Sequence, residues 1–257
     1  MALIARSLFN FFLYVIAVNS QQCDINFNYA VIIDPAHVRM VNHGQTYVQI
    51  NGEHQLFVHG REIQLNNTQK LQLSEYTNGI RSQVPAIVSI AIEGVELGLK
   101  AVNKVISSLT GENSASHQQF QEKFDEMKWR LRSRFNHSDE SYYIAPQDFD
   151  DFDEIFAGEF EKEIEAIVSD SVGSILVAVG EAMTHREEQS TEQRVETFDQ
   201  RIETMGNDLK LDISKQANAL EIKAEAICTS LVKLDAIENI LQQEIPALVE
   251  FNLIETN

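Results

Sequence analysis

Hydrophobic positions along this chain follow two periods, and the change falls near residue 66. Between Ile25 and Leu65 apolar and polar residues alternate through Tyr47, Val48 and Ile50, then Leu56, Phe57 and Val58, then Ile63 and Leu65, with breaks at Asp34-Pro35, His43-Gly44, Asn51-Gly52 and His59-Gly60-Arg61. A period of two is that of a pleated strand, so this segment predicts a small antiparallel β-meander. Asn51-Gly52 is the strongest hairpin signal within it, because a two-residue turn of the favoured kind needs positive φ at both central residues.

Beyond Asn67 the period becomes helical and stays so. Asn67 or Thr68 can cap a first helix that runs toward Tyr76, and Pro85 stands near the start of a second, which carries Ile87, Val88, Ala91, Val95, Val102, Ile106 and Leu109. Residues Gly111 to Ser116 read as a loop. Phe120, Phe124, Met127 and Leu131 mark a third helix ending near Phe135, and Pro146 and Asp148 open a fourth that places Phe149, Phe152, Phe156 and Phe160 on one face and continues to Met183. The fifth is the longest, from Val195 through Ile213, Leu220, Ile227 and Leu231 to Leu234 at near-heptad spacing, and Pro246 ends the last helical segment. Spacing of that kind over about 40 residues implies a long antiparallel neighbour or an oligomeric coiled coil. The predicted fold class is α+β, a small N-terminal β-meander (21–66) followed by an elongated, mostly antiparallel helical bundle (67–257) with long coiled-coil-like helices, the two forming one cooperative unit.

The first 20 residues stand outside this pattern. One charge, Arg6, precedes the apolar run Leu8 to Val18, and Asn19 and Ser20 follow it, which is the order of a cleaved secretory signal. Eleven helical residues cover about half of a 30 Å hydrocarbon core, so the run is too short for a permanent anchor. Cleavage is expected after Ser20, with the mature protein in the periplasm. Lipid attachment at Cys23 is disfavoured by Gln21 and Gln22, where small residues would be needed. No apolar stretch in the remaining chain is long enough for a transmembrane span.

Composition narrows the partners. The chain of 257 residues has 20 basic and 39 acidic side chains, a net charge of -19, with 44% hydrophobic residues, 4 Pro and 11 Gly. It is apolar enough to build a core and too acidic to bind nucleic acid through bulk charge. Export also changes the meaning of Cys23 and Cys228, the two cysteines of the chain: an even count in an oxidising compartment favours a disulfide, against the alternative of two separate thiols. The loop it would close spans 205 residues (228 minus 23), worth about 5 kcal/mol in the chain-entropy account. Without a C-x-x-C there is no redox-enzyme signature.

The runs QLFVHGREIQLNNTQ (Gln55 to Gln69), SVGSILVAVGEAM (Ser171 to Met183) and CTSLVKLDAIE (Cys228 to Glu238), with Tyr76 and with Cys23 at the mature start, resemble the YggN family of Gram-negative periplasmic proteins. The resemblance covers essentially the whole mature chain. It implies a compartment, a fold and a paired cysteine arrangement, and it carries no activity, cofactor or catalytic residue.

Candidate chemistry is sparse. Nine carboxylates, Asp148, Asp150, Asp151, Asp153, Glu154, Glu159, Glu161, Glu163 and Glu165, invite a divalent cation, but Phe152 falls where an EF-hand needs its third acid and the phenylalanines set the acids on the solvated face of an amphipathic helix. Lys128, Arg130, Arg132 and Arg134, interleaved with Trp129 and Phe135, suit an intramolecular or protein contact to carboxylates better than RNA in so acidic a protein. His37, His43, His54, His59, His117, His137 and His185 form no metal-ligand spacing. Ser230 and Lys233 make an isolated S-x-x-K without the partner motifs of that enzyme class.

The helix Ile164 to Met183 is apolar nearly all round. Gly173, Leu176, Val177 and Gly180 give it a face that either packs inside the bundle or lines a groove for lipid or an unfolded client. The sequence therefore points to a non-catalytic interaction or structural protein whose partner is a protein, either another copy or another envelope component. A lipid- or client-binding, chaperone-like module is the alternative, and an enzyme ranks last; no cofactor, metal or nucleic acid is expected.

Overall fold

The computed structural model describes residues 25–110, 115–138, 140–146, 166 and 191–256. These form two compact units, each assembled from separated stretches of chain. Among the described residues, one unit carries the sheet and the other is helical, so the fold is α+β with an N-terminal antiparallel sheet followed by helices.

Six short strands lead the chain: β1 (Ile25–Phe27), β2 (Ala30–Ile33), β3 (His37–Asn42), β4 (Gln45–Asn51), β5 (Gln55–Val58) and β6 (Arg61–Ile63). Strands β2 to β6 are the expected meander. Their cross-strand register lines up two apolar rows on one face, Val31, Met40, Val48 and Val58 in the first and Ile33, Val38, Ile50 and Leu56 in the second, all buried. A one-residue slip would turn both rows to water, which is what fixes the register. The alternate positions on the other face, Ile32, Arg39, Gln49 and Phe57, are half-buried.

The turns differ from the sequence expectation. The two-residue hairpins with positive φ at both centres are His43-Gly44 (48° and 76°) and His59-Gly60 (49° and 74°). At Asn51-Gly52 the glycine alone has positive φ, and pairing of Asn51 with Gln55 leaves a three-residue loop over 52–54. Asn51 keeps extended backbone because it still belongs to the ladder.

Two additions complete the sheet. Strand β7 (Asn136–Ser138) and strand β8 (Ser141–Ile144) join its far edge, giving the order β6-β5-β4-β3-β2-β8-β7, with Ile144 opposite Val31 extending the first apolar row. Strand β1 leaves the meander and pairs instead with β9 (Ile254–Thr256) at the C-terminus, Phe27 opposite Ile254.

Helix α1 (Asn67–Thr110) is continuous, whereas two helices meeting near Pro85 were expected. Proline removes the hydrogen bond to the carbonyl four residues before it, here that of Arg81. Leu73, Tyr76, Ile80, Val84 and Val88 are buried on both sides of the break in pattern, and packing of that stripe carries the helix through. Its cap lies one residue earlier than expected: Asn66 Oδ1 accepts from the Gln69 amide and Gln69 Oε1 accepts from the Asn66 amide, both at 3.0 Å, a reciprocal capping box.

Helix α2 (Ala115–Phe135) and the long helix α3 (Thr191–Glu244) occupy the segments read as third and fifth helices. The fourth predicted helix, 146–183, lies outside the described residues almost throughout.

In the sheet-bearing unit α1 and α3 run antiparallel: Gln69 Nε2 donates to Glu244 O (2.8 Å), Tyr76 meets Glu238, and Gly79 faces Leu234. A Cβ built on Gly79 would fall 2.2 Å from Leu234 Cδ2, so glycine here admits the leucine of the facing helix. In the helical unit Phe120 is fully buried with Val102 and Phe124 packed against it, and Lys100 pairs with Asp212 at 3.0 Å on the surface.

Candidate functional site

Polar chemistry in the described residues concentrates at two places, both in the sheet-bearing unit. The first begins with the buried side of α3. Leu231, Leu234, Glu238, Leu241 and Ile245 recur at spacings of three and four, and all are buried. Four of these slots hold apolar residues and one holds an acid, so Glu238 enters the core on a register made for leucine.

A buried carboxyl must be matched by donors, and the fold brings them from two other elements. Tyr76 of α1 donates its hydroxyl to Glu238 Oε2, and the backbone amide of Leu253 donates to Oε1. The Ile254 amide also acts on the group. The Asn252 side chain, oriented to satisfy its own hydrogen bonds, donates to Glu238 Oε1 (3.1 Å) and to Ile254 O (3.2 Å). Glu238 thus gathers α1, α3 and the segment leading into β9. Neighbouring contacts repeat the same junction: Thr256 Oγ1 donates to Asp235, Gln242 Nε2 donates to Phe251 O, and Asn28 Nδ2 donates to Asn252 O at 3.1 Å.

Burial dominates the electrostatics. It raises the Glu238 carboxyl from 4.5 to about 7, against the lowering effect of the Tyr76 hydroxyl and the Leu253 and Ile254 amides and with some help from the charge of Asp235. Burial likewise pushes the Tyr76 phenol well above its ordinary value, reinforced by Glu238. Both side chains are 1% exposed. Buried together, the acid and the phenol join α1, α3 and the segment before β9 as a clasp.

An aromatic cluster adjoins the clasp. The pairing of β3 with β4 slips between Met40 and Val41, leaving Tyr47 as the extra residue of a β-bulge. A bulge re-aims its side chain, and the Tyr47 ring lies 5.4 Å from Tyr29, 6.1 Å from Phe251 and 4.1 Å from His59. Burial, then the neighbouring Tyr47, Glu238 and Glu250, raise the Tyr29 phenol.

The second polar centre is Asp34, in the turn between β2 and β3. Its Oδ1 accepts from the amides of Ala36 (2.9 Å) and His37 (2.8 Å), its carboxylate meets the His37 ring at 2.9 Å and Arg39 at 3.2 Å, and its backbone carbonyl accepts from Arg81 of α1 at 2.7 Å. Partial burial would raise the carboxyl, but the Ala36 and His37 hydrogen bonds outweigh it and hold the group below its ordinary value. This centre fixes the turn and ties it to α1.

Of the residues singled out in the sequence, Gly173, Leu176, Val177 and Gly180, the acidic run Asp148 to Glu165, His185 and Cys23 lie outside the described residues. Cys228 is half-buried on α3, and it is not a free thiol. The basic stretch of α2 is engaged at Lys128, which pairs with Asp125 (2.7 Å) and lies 4.5 Å over the Phe124 ring, while Trp129 stands exposed. The histidines are dispersed: His37 bonds Asp34, His43 and His59 occupy turn positions, and His117 contacts Gln121. Among the described residues no group of three His, Cys, Asp or Glu side chains could hold a metal ion, and no helix is long and apolar enough to cross a membrane. Sequence reasoning missed the clasp, although Glu238 and Tyr76 were both within view; an acid at the leucine position between Leu234 and Leu241 was the available signal.

A domain with an antiparallel sheet, long helices and a closed acid–tyrosine clasp is defined by its interior. Residues 23–254 match the family DUF2884, described as a protein of unknown function, and the chain belongs to that family. Neither the curated proteins nor the solved structures contain a match.

Proposed function

We propose that this is an exported, non-catalytic interaction protein of the Gram-negative envelope, which acts through protein contacts of its helices. The observation that carries the reading is on α3, where Ile222 and Ile240 stand 60% and 42% exposed. They are separated by 18 residues, five helical turns, and so share a face. Single exposed apolar residues are ordinary, but two large ones on one helix face, with the exposed Thr229 and Lys233 between them, offer two apolar anchors within a polar surface, which suits a protein partner, either another copy or another envelope component. The burial of the Glu238–Tyr76 pair supports a structural role for these two groups. The resemblance to the YggN proteins and the signal-like first 20 residues support the periplasm. In that compartment Cys23 and Cys228 form the staple.

A photo-crosslinking residue placed at Ile240, with the same residue at the exposed Ala224 as control, tests the reading in whole cells. A defined crosslinked species from position 240 and none from 224 is expected; monomer alone from both refutes it. Export and staple are tested on the same material. Periplasmic protein should begin near Gln21 with Cys23 and Cys228 linked in non-reducing peptide maps, and an intact mass retaining Met1, or two free thiols, would contradict them.

A further inference from the structure

The clasp has a chemical property that its geometry makes usable. Glu238 is enclosed by α1, α3 and the C-terminal segment, and among the described residues the groups that bond it or act most strongly on it are neutral or acidic: Tyr76 from α1, Asp235 from α3, the Leu253 and Ile254 amides and the Asn252 side chain from the tail. Tyr29, just before β2, is in electrostatic reach of Glu238 and also of Glu250. Among the described residues, no lysine, arginine or histidine is one of the groups that act most strongly on the carboxyl. Burial disfavours the charged form more than the hydrogen bonds donated by Tyr76, Leu253 and Ile254 favour it; the neutral acid fits the closed site by giving its own proton to the Tyr76 oxygen, and the charged form calls for solvent.

The three covering elements differ in how easily they move. Helices α1 and α3 are 44 and 54 residues long, whereas β9 is a three-residue strand whose one ladder partner is the three-residue β1. Hydration of the charged group is therefore reached by displacing the tail. We propose that Glu238 is a proton-operated latch: as a neutral acid it holds residues 252–256 against α1 and α3, and loss of its proton loosens that segment together with the β1–β9 ribbon. The placement of the group's titration near 7 agrees with a latch that works close to neutrality, where a modest change of pH moves the population.

The test uses the full chain. Amide exchange at Leu253 and Ile254 is followed by NMR from about pH 5.5 to 8.5 in wild type and in Glu238→Gln, and the rate ratio of the two proteins cancels the intrinsic pH dependence of exchange. The expected ratio is near one at the acid end and rises about tenfold or more, with its midpoint near 7. A flat ratio overturns the proposal. Tyr76→Phe removes a donor that favours the charged form, so it should shift the midpoint to higher pH, and a midpoint that stays in place removes Glu238 from the role. Should Glu238→Gln fail to fold, the carbon-13 shift of the Glu238 carboxyl in wild type decides directly: titration near the ordinary value of 4.5 overturns the latch, and titration near 7 that coincides with faster exchange in the tail supports it.

Discussion

The sheet-bearing unit and the helical unit place their polar groups in opposite settings. In the first, Glu238 and Thr77 are buried, and Glu238 draws donors from distant parts of the chain, with Tyr76 lying 162 positions away in sequence. In the helical unit the described ion pairs lie at the surface: Lys100 with Asp212, half exposed on both sides, Lys123 with Glu126, neighbours on one turn, and Lys128 with Asp125, whose lysine is partly covered by Phe124 and whose acid is exposed. Apolar burial follows the same division. Two complete cross-strand rows and the stripes of α1 and α3 meet in the sheet-bearing unit, while the helical unit shows Leu97, Leu99, Phe120 and Met127 buried among its described residues. Long-range burial fixes one arrangement, whereas surface pairs contribute little to it. The difference implies a hierarchy of effects that substitutions can measure.

The largest effect should come from the clasp's apolar neighbours. Leu241 is 2% exposed on the α3 stripe, one turn after Glu238, and its truncation to alanine opens a cavity in a well-packed core. Leu241→Ala should cost about 2 to 5 kcal/mol in denaturant unfolding. A loss below about 1 kcal/mol would mean that the two units do not differ as described.

Glu238 gives a comparable effect that depends on pH. Its folded value of about 7 lies above its ordinary 4.5, so between these pH values the folded protein holds a proton that the unfolded chain has released. The contribution to stability is thus complete below pH 4.5, declines as pH rises through about 7, and is level beyond, a fall on the order of 3 kcal/mol. Glu238→Gln should remove that slope and be the more stable protein at pH 8. Asp34 runs the other way: its carboxyl is held below the ordinary value, so its contribution is present above that value and is lost as pH falls through the folded one. Unfolding free energies of wild type and Glu238→Gln from pH 4 to 8 check the first sign, and those of wild type and Asp34→Asn followed from pH 6 down through the ordinary value of 3.8 check the second.

How far such features could be read from the chain depends on the range of the contacts involved. The meander, α2 and α3 were legible because each is a local period, apolar at every second or every third and fourth position. Strands β7 and β8 were not, since the stretch Asn136 to Ile144 is mostly polar and gains its place only by pairing with β2. The β1–β9 ribbon joins the two ends of the described chain, and no local pattern announces such a partner. Pro85 misled for a related reason, because propensity argued for a break that buried neighbours on α1 override. Glu238 was hidden by the habit of counting an acid as surface, although its position in the Leu234–Leu241 register was visible.

A smaller effect is expected at the helix crossing. Gly79→Ala gains helix propensity, about 1 kcal/mol, but its Cβ would meet Leu234 Cδ2 at 2.2 Å and Cγ at 3.1 Å. Leu234 is itself buried, so the whole side chain must shift rather than its tip alone. Overpacking of this kind costs about 1 to 3 kcal/mol, and the net should be a loss of about 1 kcal/mol by thermal or denaturant unfolding. A double-mutant cycle with Leu234→Ala should show the two changes to be coupled; additive changes would place Gly79 and Leu234 out of contact.

The smallest effect belongs to the helical unit and is the sharpest control on the comparison. Lys100 Nζ and Asp212 Oδ2 are 3.0 Å apart, and their side chains are 53% and 54% exposed. Hydrogen bonds from Lys100 and from Gln216 hold the Asp212 carboxyl below its ordinary value, which shows that the pair forms but not that it stabilises. Two exposed charges at this distance are screened by water and salt, and ordering two flexible side chains offsets much of their attraction. Lys100→Gln should therefore leave the unfolding midpoint unchanged within error at physiological ionic strength and produce at most a slight, salt-sensitive shift at low salt. A loss as large as that of Gly79→Ala, insensitive to salt, would make the Lys100–Asp212 pair a buried-type contact, and the contrast between the two units would then have to be redrawn around it.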